Sequence, residues 1–87
     1  MKIKKSILIR SEQGLHARPA ALFVQIATKY DSSITVKKDA LEIDGKSIMG
    51  ILMLAAEKGT TIELNIEGED AKELLEDLEQ LLRGRDG

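Results

Sequence analysis

Apolar residues follow two different spacings in successive segments of this chain, and that alternation limits the fold more than any other feature. A spacing of two, typical of a strand with one buried face, recurs in four short segments. A spacing of three and four, typical of one face of a helix, fills the intervals between them and the end of the chain. The apolar residues of the strand segments are Ile7 and Ile9, Ile34 and Val36, Leu41 and Ile43, and Ile62, Leu64 and Ile66. Those of the helical segments are Ala20, Phe23, Val24 and Ala27, then Ile51, Leu54 and Ala55, then Ala71, Leu74, Leu75, Leu78, Leu81 and Leu82.

The resulting order, β-α-β-β-α-β-α, predicts an α+β fold. We expect a two-layer, open-faced sandwich in which three helices cover one face of a four-stranded, mainly antiparallel sheet. The polar residues between the strand positions support a sheet with one covered and one solvated face. A length of 87 residues suits one domain, residues 1–87, with a modest core.

Local signals predict the boundaries of the second and third helices. The second helix is expected over about residues 48 to 57, and Gly59 is expected to close it in the left-handed conformation that follows many helices. Asp70 and Glu73 resemble a capping box at the start of the third helix, with an aspartate in place of the usual serine or threonine. Gly84 is expected to stop that helix.

Composition argues against several classes of function. The net charge is −2, with 13 basic and 15 acidic residues, so the chain lacks the basic excess of a nucleic-acid-binding domain. It has no cysteine and a single histidine, so we expect no disulfide, no thiolate chemistry and no metal site. No apolar run is long enough to span a bilayer, which makes the cytoplasm the expected location.

The stretch QGLHARPA, residues 13–20, contains the only histidine and the only proline. Pro19 is expected in the first turn of a helix from Ala17 to about Thr28, where a missing N–H breaks no hydrogen bond. His16 then falls at the N-cap, where free amide groups and the helix dipole attract anions. That field favours a neutral imidazole, whose nitrogen is a nucleophile, and Arg18 offers a guanidinium fork for phosphate oxygens. The parts suit phosphoryl transfer, although an ordinary histidine at a helix start and a solvated arginine would have the same sequence.

Two motifs in this chain resemble those of one family. GLHARPA, residues 14–20, closely resembles the active-site motif of HPr, the histidine-containing phosphocarrier of the bacterial sugar phosphotransferase system. KSIMG, residues 46–50, resembles the regulatory-serine motif of HPr proteins from Gram-positive-type bacteria. The separation of the motifs, the chain length and the order of elements match the family as well.

The resemblance implies a role for each residue of the first motif. His16 matches the histidine that receives a phosphoryl group on Nδ1 from enzyme I, ultimately from phosphoenolpyruvate, and hands it to sugar-specific IIA proteins. Arg18 matches the arginine that contacts this group, and Gly14, Ala17 and Pro19 match the phosphoryl-binding loop and helix start. The resemblance thus implies a phosphocarrier and not an enzyme. We expect it to need no cofactor, and a monomer is the simplest expectation for its oligomeric state.

The second motif implies regulation and docking. Ser47 matches the serine that the ATP-dependent HPr kinase/phosphorylase modifies, which would link the chain to a catabolite-repression regulator. Serine is also a good N-cap, so both roles can hold together. Ile48, Met49 and Leu52 match an exposed apolar docking patch, and Ala21 is expected on the same face as Arg18. From the residues alone, burial of these apolar side chains in the core is the alternative.

The chain departs from the family at two positions. Gln13 stands where many relatives have Ser or Asn, which puts in doubt a side-chain contact to the phosphoryl group from there. Ala40 lies in a hairpin connection where relatives often have Gly, so strain of roughly 1 kcal/mol is expected if its φ is positive. Two other functions stay open: a regulatory protein that works chiefly through Ser47, and a small-ligand-binding domain without covalent chemistry.

Overall fold

Seven elements form the fold in the computed structural model, which describes residues 1–84. In chain order they are β1 (Lys2–Leu8), α1 (Ala17–Thr28), β2 (Ser33–Lys38), β3 (Leu41–Asp44), α2 (Ile48–Leu54), β4 (Thr61–Glu67) and α3 (Ala71–Leu82). The predicted order β-α-β-β-α-β-α is confirmed. The described residues include no helix that is long and apolar enough to cross a membrane.

The four strands form one sheet in the order β1-β4-β2-β3, and every ladder is antiparallel. β4 is central: Ile62 pairs with Ile7 of β1, and Leu64 pairs with Val36 of β2. These pairings put the apolar residues of the strands on the same face of the sheet, since side chains alternate along a strand. The α+β open-faced sandwich predicted from the alternation is confirmed.

The core lies between that face and the three helices. Phe23 of α1, Ile51 of α2 and Leu78 of α3 are each fully buried, in one cluster with strand residues such as Leu64. Burial of each large apolar side chain contributes about 1.5–3 kcal/mol, so the helices are held on the sheet mainly by these contacts. Ile9, just after β1, is also fully buried.

The predicted end of α2 is wrong. The helix stops at Leu54, and Ala55, predicted to face inward, is exposed and takes the left-handed conformation, with φ 49° and ψ 41°. A left-handed alanine costs about 1–2 kcal/mol, which the surrounding structure must offset. The carbonyls of Leu54 and Ala55 accept hydrogen bonds from Lys38 Nζ at 2.9 and 3.3 Å. Gly59 therefore lies beyond the helix cap, and Ala56 occupies the buried position predicted for Ala55.

The predicted capping box at α3 is also wrong. Asp70 is the N-cap residue, but its side chain makes no capping hydrogen bond. Its carboxylate instead accepts hydrogen bonds from the Ser32 hydroxyl and from the backbone N–H groups of Asp31 and Ser32, the latter two at 2.9 and 3.0 Å. Those hydrogen bonds, led by the one from the Ser32 hydroxyl, lower the pKa of Asp70. The aspartate thus ties α3 to the turn before β2, and Gly84 follows the helix as predicted.

The β2–β3 connection places its positive φ one residue earlier than expected. Asp39 has φ 54°, whereas Ala40 is not in the left-handed region. The strain anticipated at Ala40 is therefore absent. Aspartate occupies the left-handed region more readily than alanine, which explains why this turn needs no glycine.

Tyr30 is the only tyrosine in a chain without tryptophan, so its ultraviolet absorbance can be followed by itself. It reports on the packing of α3 because it contacts that helix. Its hydroxyl donates a hydrogen bond to the Asp77 carboxylate. That bond, together with burial and nearby negative charge, raises the pKa of Tyr30 to about 12. The fold favours the neutral phenol, so this contribution to stability is complete below the ordinary pKa of about 10 and is lost as the pH rises through 12.

We expect the tyrosinate absorbance of the folded protein to titrate with a midpoint near 12. In an Asp77→Asn variant the midpoint should move toward the ordinary value of about 10, because the carboxylate acceptor is gone. Ultraviolet absorbance during a pH titration measures this, with circular dichroism as a check that the helices persist. A wild-type midpoint near 10 in the folded protein would contradict the assignment.

Candidate functional site

The loop between β1 and α1 is held against the segment that follows α2. The Leu15 N–H donates to the Ala56 carbonyl at 2.7 Å, and the Leu15 side chain is buried in the core. Gly14 has φ 60°, and a Cβ at this position would lie 2.7 Å from the Ala56 carbonyl oxygen and 2.8 Å from Glu57 Cα. Only glycine allows this approach of the two backbones without strain.

His16 follows directly as the N-cap residue of α1, in the predicted position. Its backbone is extended, with φ −88° and ψ −164°, and its side chain is exposed and makes no capping hydrogen bond. The first hydrogen bond of the helix runs from the Ala20 N–H to the His16 carbonyl at 2.7 Å. The N–H groups of Ala17 and Arg18 precede that bond and Pro19 has none, so two amide donors remain at this helix end.

Arg18 is an exposed cation in the first turn of α1, where the helix dipole disfavours positive charge. Within residues 1–84, no carboxylate lies within ion-pair distance of its guanidinium. Among residues 1–84, Arg18 is therefore not held in an ion pair, and the helix dipole does not favour its charge. A cation in this position suits an anion bound at the same helix end.

An open depression of 580 Å³ joins these groups. Its lining consists of Glu12, Gln13, His16, Ala17, Arg18, Glu57 and Lys58. Gln13, which was in doubt as a phosphoryl contact, therefore borders the same space as the imidazole. Glu12, Glu57 and Lys58 were not predicted as site residues. Glu57 and Lys58 come from a segment that only the tertiary fold brings beside His16, and Glu12 looks in the sequence like an ordinary charged loop residue.

Ser47 begins α2, as predicted from its type and position. Its Oγ accepts a hydrogen bond from the Gly50 N–H at 3.0 Å, and its own N–H donates to the Asp44 carbonyl at 3.1 Å. The neighbouring Lys46 Nζ donates to the Tyr30 carbonyl at 2.9 Å. The serine side chain is half-buried, so its oxygen is fixed by the cap while part of it still faces solvent.

Comparison with known proteins gives one consistent answer. A family model described as "PTS HPr component phosphorylation site" matches residues 3–84. The phosphocarrier protein HPr of Neisseria meningitidis is 45% identical over 82 residues, which cover 94% of this chain and 92% of the relative. The chain belongs to the HPr family. HPr proteins are phosphocarriers of the phosphotransferase system, and that function is assigned to this chain at the level of the family.

Two further members of the HPr family extend the comparison. The crystal structure of an HPr from Bacillus anthracis matches with a TM-score of 0.89 at 42% identity, over 93% of this chain and 96% of the other. The HPr-like protein Crh of Bacillus subtilis is 43% identical over 76 residues, or 87% of this chain and 89% of the relative. The family thus includes both phosphocarriers and an HPr-like branch, and the open-faced sandwich described above is the fold of the family.

The three α2 residues that the HPr resemblance assigned to docking, Ile48, Met49 and Leu52, are exposed. Together with the exposed Met53, which the resemblance did not assign, they form a surface that we name the α2 apolar surface. The exposed fraction is 38% for Ile48, 66% for Met49 and 40% for Leu52, so none of the three is buried in the core, which was the alternative. On α1, which packs against α2, Ala21 is half-buried and Leu22 is exposed.

Proposed function

We propose that His16 accepts a phosphoryl group from phospho-enzyme I, supplied ultimately by phosphoenolpyruvate, and passes it to sugar-specific IIA proteins. The observation that carries this proposal is the exposed imidazole at the N-cap of α1, beside two free amide donors and the cation of Arg18. In this role the chain is a phosphorylated intermediate, not an enzyme, because its partners supply both the donor and the acceptor site.

The chemistry is a displacement at phosphorus. A lone pair on the His16 imidazole attacks the phosphorus of phospho-enzyme I, the donor's bond to phosphorus breaks, and its electron pair returns to the donor atom. The transferred group carries its negative charge on three oxygens. The N–H groups of Ala17 and Arg18 and the Arg18 guanidinium can donate to those oxygens, which stabilises the charge without a metal ion. In the second transfer a nucleophilic side chain of the IIA protein attacks the phosphorus, the P–N bond to His16 breaks, and its electron pair returns to the His16 imidazole.

A second proposed role concerns Ser47. We infer that the HPr kinase/phosphorylase modifies its hydroxyl with ATP, in support of a link to a catabolite-repression regulator. The specific observation is that Ser47 directly precedes the α2 apolar surface, so a phosphate there adds a charge of about −1.5 to −2 beside apolar side chains. Such a charge hinders partners that dock on Ile48, Met49 and Leu52.

The remaining assignments follow from the same proposal. Ile48, Met49, Leu52 and Ala21 are proposed to contact enzyme I and IIA proteins, since methionine adapts its shape to several partners. We further propose that residues 1–87 form a single HPr-like domain that works as a cytoplasmic monomer. A small-ligand-binding domain without covalent chemistry is not favoured, because the family comparison supports phosphotransfer.

Site mapping by mass spectrometry in two separate reactions tests both roles. After incubation with enzyme I and phosphoenolpyruvate, we expect one acid-labile, base-stable phosphate on His16. After incubation with HPr kinase/phosphorylase and ATP, we expect one acid-stable phosphate on Ser47.

Two Ser47 variants extend the test. Ser47→Ala should lose the label from the kinase and keep the label on His16. Ser47→Asp should accept phosphate from enzyme I more slowly than Ser47→Ala. Label on other residues, or equal rates for the two Ser47 variants, would contradict the respective role.

A further inference from the structure

Glu12 and Lys58 form an ion pair in the depression beside His16. The Lys58 ammonium contacts Glu12 Oε2, and the two residues are 46 positions apart in the chain. Glu12 belongs to the loop that leads to His16, and Lys58 belongs to the segment between α2 and β4. Both residues line the same space as the imidazole and Arg18. The pair therefore joins the two segments at the edge of the phosphoryl site.

The Glu12–Lys58 ion pair is exposed to solvent and can be broken at little cost in stability. The Glu12 side chain is 83% exposed and that of Lys58 is 52% exposed, and pairs in such contact with water contribute little to stability. The backbone around Lys58 is fixed, because Gly59 N–H donates to the Ile9 carbonyl at 2.8 Å and Thr60 N–H to the Glu57 carbonyl at 2.9 Å. The Lys58 side chain extends from this fixed segment on a flexible stem, and its ammonium is a compact charge with three donors.

The charges in the depression balance without a phosphoryl group. Arg18 and Lys58 supply two positive charges, and Glu12 and Glu57 supply two negative ones. A phosphoryl group on His16 adds a charge of about −1.5 to −2 and three acceptor oxygens to this space. A group of that charge competes with a single exposed carboxylate, that of Glu12, for the Lys58 ammonium.

We propose that Lys58 leaves Glu12 and binds the phosphoryl group held by His16, as a second cation beside Arg18. Glu12 is then a positioning residue, because it holds Lys58 while His16 is unmodified and competes for Lys58 once the group is bound. The ion pair thereby sets how firmly the carrier retains its phosphoryl group. This inference rests on the proposed function of His16 and adds two residues that neither motif contains.

An exchange equilibrium tests the proposal without depending on how partners dock. Phosphorylated, ¹⁵N-labelled wild-type protein is mixed with an equal amount of an unlabelled variant and a trace of enzyme I, and the reaction is quenched with base. Intact-mass spectrometry then gives the share of phosphate on each protein at equilibrium. Enzyme I acts only as the catalyst of exchange, so the ratio reports the relative affinity of each carrier for the phosphoryl group.

Opposite effects are expected from the two halves of the ion pair. Lys58→Met should retain about three to ten times less phosphate than wild type, because one cation near the phosphoryl oxygens is lost. Glu12→Gln should retain about two to five times more, because Lys58 is released from its competitor. A purely structural ion pair predicts effects of the same sign, because either variant breaks it. Same-sign effects, or a Lys58→Met ratio equal to wild type, would overturn the proposal.

Matched controls come from an ion pair on β1 and β4. Lys4 Nζ lies 3.8 Å from Glu63 Oε2, and neither residue lines the depression. Lys4→Met and Glu63→Gln repeat the two charge changes and should leave the exchange ratio near that of wild type. Control shifts as large as those at Lys58 and Glu12 would overturn the proposal, since they would show an effect of net charge alone.

The double variant separates exchange from simple repulsion. If Glu12 acts by holding Lys58, the effect of Glu12→Gln should fall by at least about half in the Lys58→Met background. An unchanged effect would overturn the exchange. A wild-type protein that fails to carry phosphate on His16 gives a different result from all of these, because it contradicts the proposed function itself.

Discussion

A His16→Gln variant is expected to take up no acid-labile phosphate from phosphoenolpyruvate and enzyme I. Glutamine keeps a polar side chain of similar reach but has no nitrogen lone pair that can act as a nucleophile. The loss should be complete, because the other side chains in the depression supply charge and not a replacement imidazole. Radiolabel from phosphoenolpyruvate, measured after a base quench, gives the result directly.

The fold should survive this substitution. The His16 side chain is exposed and makes no capping hydrogen bond, and the helix-starting bond to Ala20 uses the backbone carbonyl, which glutamine retains. Thermal unfolding of His16→Gln should therefore match wild type closely, and its Ser47 should still be labelled by HPr kinase/phosphorylase. Wild-type levels of acid-labile label on a folded His16→Gln protein would rule out His16 as the acceptor.

The fold could be predicted from the sequence because β1, β2 and β4 each bury apolar side chains on one face, whereas β3 has no fully buried residue. Alternation at Ile62, Leu64 and Ile66 marks the central strand, and the wide apolar stripe of α3 marks the helix beside it in sequence. These are local consequences of burial on one side, so a single chain displays them without any relative.

The errors occurred where a distant contact decides the conformation of a short segment. Residues 55–57 read Ala-Ala-Glu, which favours helix, yet Ala55 turns left-handed and Ala56 is buried. The reason is the backbone bond from Leu15 to the Ala56 carbonyl, which holds this segment against the Gly14 loop. Asp70 shows the same effect, since its carboxylate accepts a hydrogen bond from the distant Ser32 N–H and none from the N–H groups of its own helix.

The residues of the candidate site also differ in whether a local sequence signal or a distant contact places them. His16 and Arg18 stand out because they are adjacent in sequence to the helix start that positions them, and the resemblance to HPr assigns their proposed roles. Glu12 and Lys58 had no such signal, because charged residues in exposed loops are common and 46 positions separate the two. Their proximity depends on the approach of two backbones at Gly14, so the geometry of this glycine affects both halves of the site.

Gly14→Ala is accordingly the second substitution with a large expected effect. The new Cβ would lie 2.7, 2.8 and 3.1 Å from backbone atoms of Ala56, Glu57 and Lys58, none of which can move as an isolated side chain would. Left-handed strain and the clash together should lower the free energy of unfolding by about 2–4 kcal/mol. Urea denaturation followed by circular dichroism measures the loss.

Gly59→Ala is the matched control, because Gly59 also has a positive φ, 92°, but a Cβ there meets nothing within 4 Å. It should cost only the backbone strain, about 1–2 kcal/mol, so the difference between the two variants isolates the close approach. In Gly14→Ala the loop must also separate from residues 56–58, so phosphoryl transfer to His16 should slow even under conditions where the protein is fully folded. A Gly14→Ala protein as stable as Gly59→Ala, with transfer as fast as wild type, would show that the contact between these two backbones does not organise the site.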